Sequence, residues 1–131
     1  MMEPSPRSPN LSNVSRWFAF RGRKAGTFAF ILNRITAIGL TFYLFIHLIV
    51  LGKLAQGPEA FNDFVEIVES PIYILGELLV VAAGFFHGLN GLRVIANSFG
   101  LAIPYQRHLF YFIILLSIVI TVVFGIRMFT A

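Results

Sequence analysis

Cysteine is absent from the 131-residue chain. Disulfides, thiolate metal sites and iron–sulfur ligation by the chain itself are thereby excluded. Charge is scarce too. Asp, Glu, Lys and Arg together make up 12% of the residues, against roughly 25% in an ordinary soluble domain. Acids are the scarcer sign, six against ten bases, which gives a net charge of +4. What fills the space is apolar: 57% of the residues are hydrophobic, 15 of them phenylalanine, and the mean hydropathy is +0.81. A core built from so short a chain could not hide that many large side chains from water. The composition excludes an ordinary soluble domain and points to an integral membrane protein. No nucleic-acid partner is expected, and no internal repeat is present.

Three apolar runs, at about 28–51, 71–96 and 109–129, approach or exceed the roughly 20 residues that cross a hydrocarbon core as a helix. The expected fold is all-α, with three transmembrane helices forming one unit over 28–131 behind a basic N-terminal segment, 1–27. Six bases lie at or before Arg34 (Arg7, Arg16, Arg21, Arg23, Lys24 and Arg34 itself), against the single acid Glu3. The link after the first run carries Lys53 among Glu59, Asp63, Glu66 and Glu69, and the link after the second carries Arg93 and Arg107 with no acid. The positive-inside bias therefore predicts a cytoplasmic N-terminus and an acidic outer loop, with Arg127 alone counting against it.

Within that outer loop, 53–70, Phe61, Phe64, Val65 and Val68 recur at helical spacing opposite acids, which predicts a short amphipathic surface helix. The head is rich in Pro, Ser and Asn, and its first dozen residues read as disordered. It holds no apolar stretch of signal-peptide length, and its basic, serine-containing composition leaves an organellar transit peptide open. The stretch "RWFAFRGRK" reads as a headgroup-level segment, aromatics down and cations up.

The second run contains "GFFHGLNGLRVIAN", 84–97. His87 lies about 9 Å of helix rise from Arg93, inside the hydrocarbon if Arg93 marks the interface. An ionisable group there is costly and is a functional candidate by default. One reading is an imidazole bonded to a backbone carbonyl of a neighbouring helix. The other starts from Gly84 and Gly91, at i−3 and i+4 on the His87 face, with Gly88 beside it. Missing side chains clear a flat surface that suits a helix crossing, or a porphyrin plane lying across the helix. Neutral imidazole is a common iron ligand, and without cysteine a bis-histidine haem held between facing helices is the natural arrangement. Arg93 could then pair with a propionate.

"FFHGLNGLR" reads as His-x-x-x-Gly-x-Arg on a second transmembrane helix, and "ILNRITAIGLTFYLFIHL" resembles a first-helix pattern of Ser-x-x-His-Arg-x-[Ser/Thr]-Gly. Together they resemble the cytochrome b membrane-anchor subunits of succinate dehydrogenase (succinate:quinone oxidoreductase) over about 28–129. The resemblance implies haem b held with a second membrane-anchor subunit that supplies the opposite ligands, and a flavoprotein and an iron–sulfur protein on the cytoplasmic side. It implies His87 as an axial ligand and Arg34 and Arg93 at the quinone and propionate region. Three positions depart from the pattern. Asn33 stands at the motif histidine, where it could still donate a hydrogen bond; Phe30 stands where many members place a quinone-binding serine; and Ala37 replaces a glycine. Membrane lipid and quinone are the implied small-molecule partners, and the plasma membrane of a prokaryote, rather than the mitochondrial inner membrane, is the implied location.

His47, on the first run, lies 13 residues past Arg34, or roughly 20 Å of rise, which puts it near 10 Å deeper than His87. Two axial ligands of one iron must meet at one depth, so the two histidines cannot share a haem. Some members of the family carry two stacked haems, and the offset suits a second haem at His47. The alternative is an interfacial histidine bonded to headgroups or loop. Glu77 lies about 15 Å outward from His87 along the same helix. It reads either as a carboxylate paired with Lys53 or Arg127, or as a proton-exchanging group for quinone near the second haem. His108 reads as interfacial. The expected function is electron transfer from iron–sulfur centres through haem b to quinone. A haem-less structural anchor and an unrelated small membrane transporter are the competing readings.

Overall fold

The computed structural model describes residues 24–130, so the head expected to be disordered, the "RWFAFRGRK" stretch up to Arg23 expected at the headgroups, and the cations Arg7, Arg16, Arg21 and Arg23 lie outside the described residues. Among the described residues every regular element is helical: α1 (Ala25–Ala55), α2 (Pro58–Val68), α3 (Pro71–Ser98), a 3-10 turn (Ile103–Tyr105) and α4 (Gln106–Thr130). Three of these are long and apolar enough to cross a membrane. A helix is the natural answer for such a segment, because hydrocarbon offers no partner to an unpaired backbone N–H or C=O. At 1.5 Å per residue, α1 spans about 46 Å, well beyond a hydrocarbon core of about 30 Å, so its ends reach the headgroups or it tilts.

Each helix begins or ends on a residue suited to the place. Pro58 and Pro71 open α2 and α3 at the first turn, where no intrahelical N–H bond is lost. Past the end of α3, Leu101 N–H donates to Ala96 O at 2.9 Å and Gly100 N–H to Asn97 O at 3.0 Å. This is a Schellman closure, with Gly100 at φ 74°. Ala102 follows at φ 60°, and the 3-10 turn containing Pro104 then delivers the chain into α4. On α2 the four apolar residues Phe61, Phe64, Val65 and Val68 are half-buried, while Glu59, Asp63 and Glu66 are exposed.

The three long helices alternate in direction, with α3 in the middle. It packs along both neighbours, whereas α1 and α4 touch little. The best-buried cluster joins Ala29, Phe86, Phe110 and Ile113. Phe110, only 2% exposed, takes the edges of Phe86 and Phe28, each with ring centroids 6.4 Å away. Towards the other end Phe85 meets Phe124 at 6.1 Å, and Gly125 of α4 lies against Leu78 of α3. The helices thus share one basic end, with Lys24, Arg34, Arg93 and Arg107, and one acidic end, with α2 and Glu77.

A Cβ added at Gly125 would stand 3.2 Å and 3.5 Å from the two methyls of Leu78. Gly125→Leu is therefore expected to force α3 and α4 apart and to cost about 1–3 kcal/mol. Denaturation in detergent micelles measures this. Parental stability in the variant would mean that the α3–α4 contact is looser than the structure has it.

Candidate functional site

A polar seam runs between α1 and α3 near the basic end. His87 Nδ1 lies 3.1 Å from the backbone carbonyl of Asn33 and 3.2 Å from Thr36 Oγ1. The Thr36 hydroxyl donates back to Leu32 O (2.9 Å) or Asn33 O (3.0 Å), so it turns a lone pair towards the ring. Both neighbours of Nδ1 therefore accept. A carbonyl can do nothing else, so these partners assign a proton to Nδ1, and in the neutral ring the lone pair is then on Nε2. One turn nearer the basic end, Asn90 Nδ2 donates to Asn33 Oδ1 at 3.1 Å, and Arg93 Nε donates to Asn90 Oδ1 at 3.0 Å. Asn90 is 1% exposed, so this chain of bonds lies in the bundle interior.

The seam brings together His87, Asn33, Arg34 and Arg93, all marked by the sequence, and adds two residues the sequence reading passed over. Asn90 holds Asn33 and Arg93, and Thr36 flanks the imidazole. The signal for Asn90 was present: an amide three residues from both His87 and Arg93, in a helix otherwise meant for lipid, needs a partner. Arg34 folds back over the Phe30 ring, 4.3 Å from its centroid, a cation–π contact at i−4. Phe30, Asn33, Arg34, Asn90 and Arg93 line a cleft of about 310 Å³. A Cβ at Gly84 would meet Leu40 of α1 at 4.0 Å, whereas Cβ atoms at Gly88 and Gly91 would meet nothing within 4 Å. The glycine surface beside His87 is thus closed at Gly84 and open at Gly88 and Gly91.

His47 is not part of this seam. It is exposed on α1 and stacks on Tyr43, centroids 5.6 Å apart. Because His87 lies level with Asn33 and Thr36, the rise along α1 to His47 is about 16–21 Å, not the 10 Å expected from the sequence. The difference arises because Arg34 and Arg93 do not mark one depth: the Asn33–Asn90 bond sets Arg93 about a turn nearer the basic end than Arg34. Glu77, exposed on α3, belongs to the same level as His47. From the Leu40–Gly84 contact, seven residues along each antiparallel helix lead to His47 and Glu77. Among the described residues no three His, Cys, Asp or Glu side chains gather as a metal site. Any metal at either histidine would draw ligands from beyond such a cluster.

Asn90→Leu keeps the branching at Cγ but strands Asn33 Oδ1 and Arg93 Nε. A loss of about 1–3 kcal/mol of stability is expected, with a non-additive coupling to Asn33→Leu. A double-mutant cycle measures it, and additive energies would refute the seam.

The succinate dehydrogenase/fumarate reductase transmembrane subunit family matches residues 1–124. The succinate dehydrogenase 2 membrane subunit SdhC of Mycobacterium tuberculosis is 35% identical over 108 residues, which cover 79% of this chain and 79% of that one. The succinate dehydrogenase hydrophobic membrane anchor subunit of Halobacterium salinarum is 33% identical over 113 residues, covering 86% of this chain and 85% of that one. With three spanning helices and a match over nearly its whole length, the chain belongs to the succinate dehydrogenase/fumarate reductase transmembrane subunit family.

Proposed function

We propose that the chain is the haem b-binding anchor of a succinate:quinone oxidoreductase in a prokaryotic plasma membrane, with His87 as an axial ligand. The observation that carries this is the hydrogen bond from His87 Nδ1 to the Asn33 carbonyl. Metal-bound histidines characteristically donate their other N–H to a carbonyl or carboxylate, which orients the ring and raises the basicity of the ligating nitrogen. The residues also fit the group in shape, since the open flank at Gly88 and Gly91 leaves room beside the imidazole for a flat ring. The other iron ligand would come from a second membrane-anchor subunit, because His47 lies far along α1. When bound, haem b supplies a one-electron carrier between the iron–sulfur subunit and quinone.

The chain's own residues then do three things. Asn33 and Thr36 hold the His87 tautomer. Asn90 fixes Arg93 by its Nε, which leaves one of the two terminal nitrogens of the guanidinium to pair with a propionate. Arg34 and Asn33 present donors in the cleft that Phe30 walls, where a cation and N–H groups favour the charge that reduction places on quinone oxygens. By the positive-inside bias the basic end faces the cytoplasm, where the iron–sulfur subunit and, beyond it, the flavoprotein dock. His47 would hold a second haem towards the outer face, and Glu77, at the same level, would exchange protons with quinone there.

Family membership removes the unrelated-transporter reading. The remaining rival is a haem-less anchor in which the His87 bond only joins two helices. Difference spectra of the purified complex distinguish them. Parent complex should show two b-type haems, His87→Ala should lose one while still inserting, and His47→Leu should lose the other. Unchanged haem in His87→Ala would defeat the central reading. A single parental haem that survives His47→Leu would remove the second site.

A further inference from the structure

A second, larger cavity lies on the other side of Arg93. It measures about 550 Å³, sits where α1 begins, α3 approaches its end and α4 begins, and is lined by Lys24, Arg93, Gln106, Arg107, Phe110 and Tyr111. Three cations face one space, and no carboxylate among the described residues lines it. Every acid among the described residues (Glu59, Asp63, Glu66, Glu69 and Glu77) belongs to the opposite end of the bundle. Like charges gathered around a cavity repel one another, so the arrangement favours an anion from outside the chain.

The walls narrow the choice. Arg93 uses Nε on Asn90, and its guanidinium carbon lies 5.6 Å from the Phe110 centroid, which keeps the group at the aromatic wall with its terminal N–H groups uncommitted among the described residues. Arg107 lies 6.0 Å from the Tyr111 centroid. The cavity is thus cationic on one part of its lining and aromatic on the other. Its position is the shared end of three spanning helices, at the level where headgroups lie, and basic pockets between helix ends suit phosphate headgroups.

We propose that this cavity binds the phosphate of an anionic phospholipid, held by Lys24, Arg93 and Arg107 with the glycerol region against Phe110 and Tyr111. Arg93 would then be the wall between a lipid site and the quinone-side cleft. The proposal depends on the spanning helices and the three cations, not on haem.

The test compares three forms of the purified complex: parent, Lys24→Gln with Arg107→Gln, and the charge-conserving Lys24→Arg with Arg107→Lys. Mass spectrometry of extracted lipid reports what each retains, and melting after delipidation is followed with added phosphatidylglycerol, phosphatidylcholine or inorganic phosphate. Parent and charge-conserving forms should retain anionic lipid and be stabilised by phosphatidylglycerol alone. The glutamine form should bind it about thirtyfold more weakly, at about 1 kcal/mol per cation removed, with its haem spectrum unchanged. Arg107→Gln alone, expected to weaken binding about fivefold, serves if the double variant does not assemble. Equal lipid retention in all forms overturns the proposal. So does full protection by inorganic phosphate, which indicates a free-anion site, or release of the soluble subunits with lipid content intact, which indicates a protein-docking socket.

Discussion

Hydrocarbon gives a polar group nothing to bond to, and this bundle is organised by that constraint. Satisfying backbone groups makes the helices. Satisfying the few polar side chains left inside sets how they meet. His87 and Asn90 on α3 meet Asn33 and Thr36 on α1 only when the two helices take one register. Apolar packing against lipid-facing side chains is nearly indifferent to sliding, because a leucine meets lipid and leucine alike. Hydrogen bonds between helices are individually modest, about 0.6 kcal/mol on average, but they are directional. The same bonds that fix the register also orient His87 Nε2.

Arg93 sits at the junction of everything placed at the basic end. One nitrogen is tied to Asn90, its plane lies by Phe110, and it borders both the 310 Å³ and the 550 Å³ cavities. Phe110 in turn receives the edges of Phe28 and Phe86, so the best-buried part of the bundle lies beneath the cations. The acidic half is looser. His47 leans on Tyr43 of its own helix, Glu77 is exposed, and α2 lies on the surface with its acids outward. A chain with so much of its apolar surface exposed, Ile38, Phe42, Ile49 and Ile72 each about 70%, is shaped to be surrounded, by lipid and by the other subunits of its complex.

Much of this was legible in the residues themselves. Three long apolar runs and the scarcity of charge dictate spanning helices, because hydropathy and length suffice for that inference. The apolar runs at about 28–51, 71–96 and 109–129 fall within α1, α3 and α4, although all three long helices run further than their apolar cores, through Ala25 and Ala55 in α1. A helix once started continues until a breaker stops it, and hydropathy does not register polar turns at the membrane boundary. The motif His-x-x-x-Gly-x-Arg marked His87 and Arg93 by residue type and spacing alone.

What the sequence could not contain was relative depth. Counting residues from Arg34 and from Arg93 assumed that both stand at one level, and the Asn33–Asn90 bond shows them about a turn apart. Register between helices is a property of side-chain pairs that are 54 and 57 residues apart in the chain, and no local pattern encodes it. The same holds for the tautomer of His87, which depends on an acceptor presented by another helix, and for the gathering of Lys24, Arg93 and Arg107 around one space. Composition and periodicity determined that there are three spanning helices with a histidine inside. Tertiary hydrogen bonding decided which nitrogen of that histidine is free and how far it stands from His47.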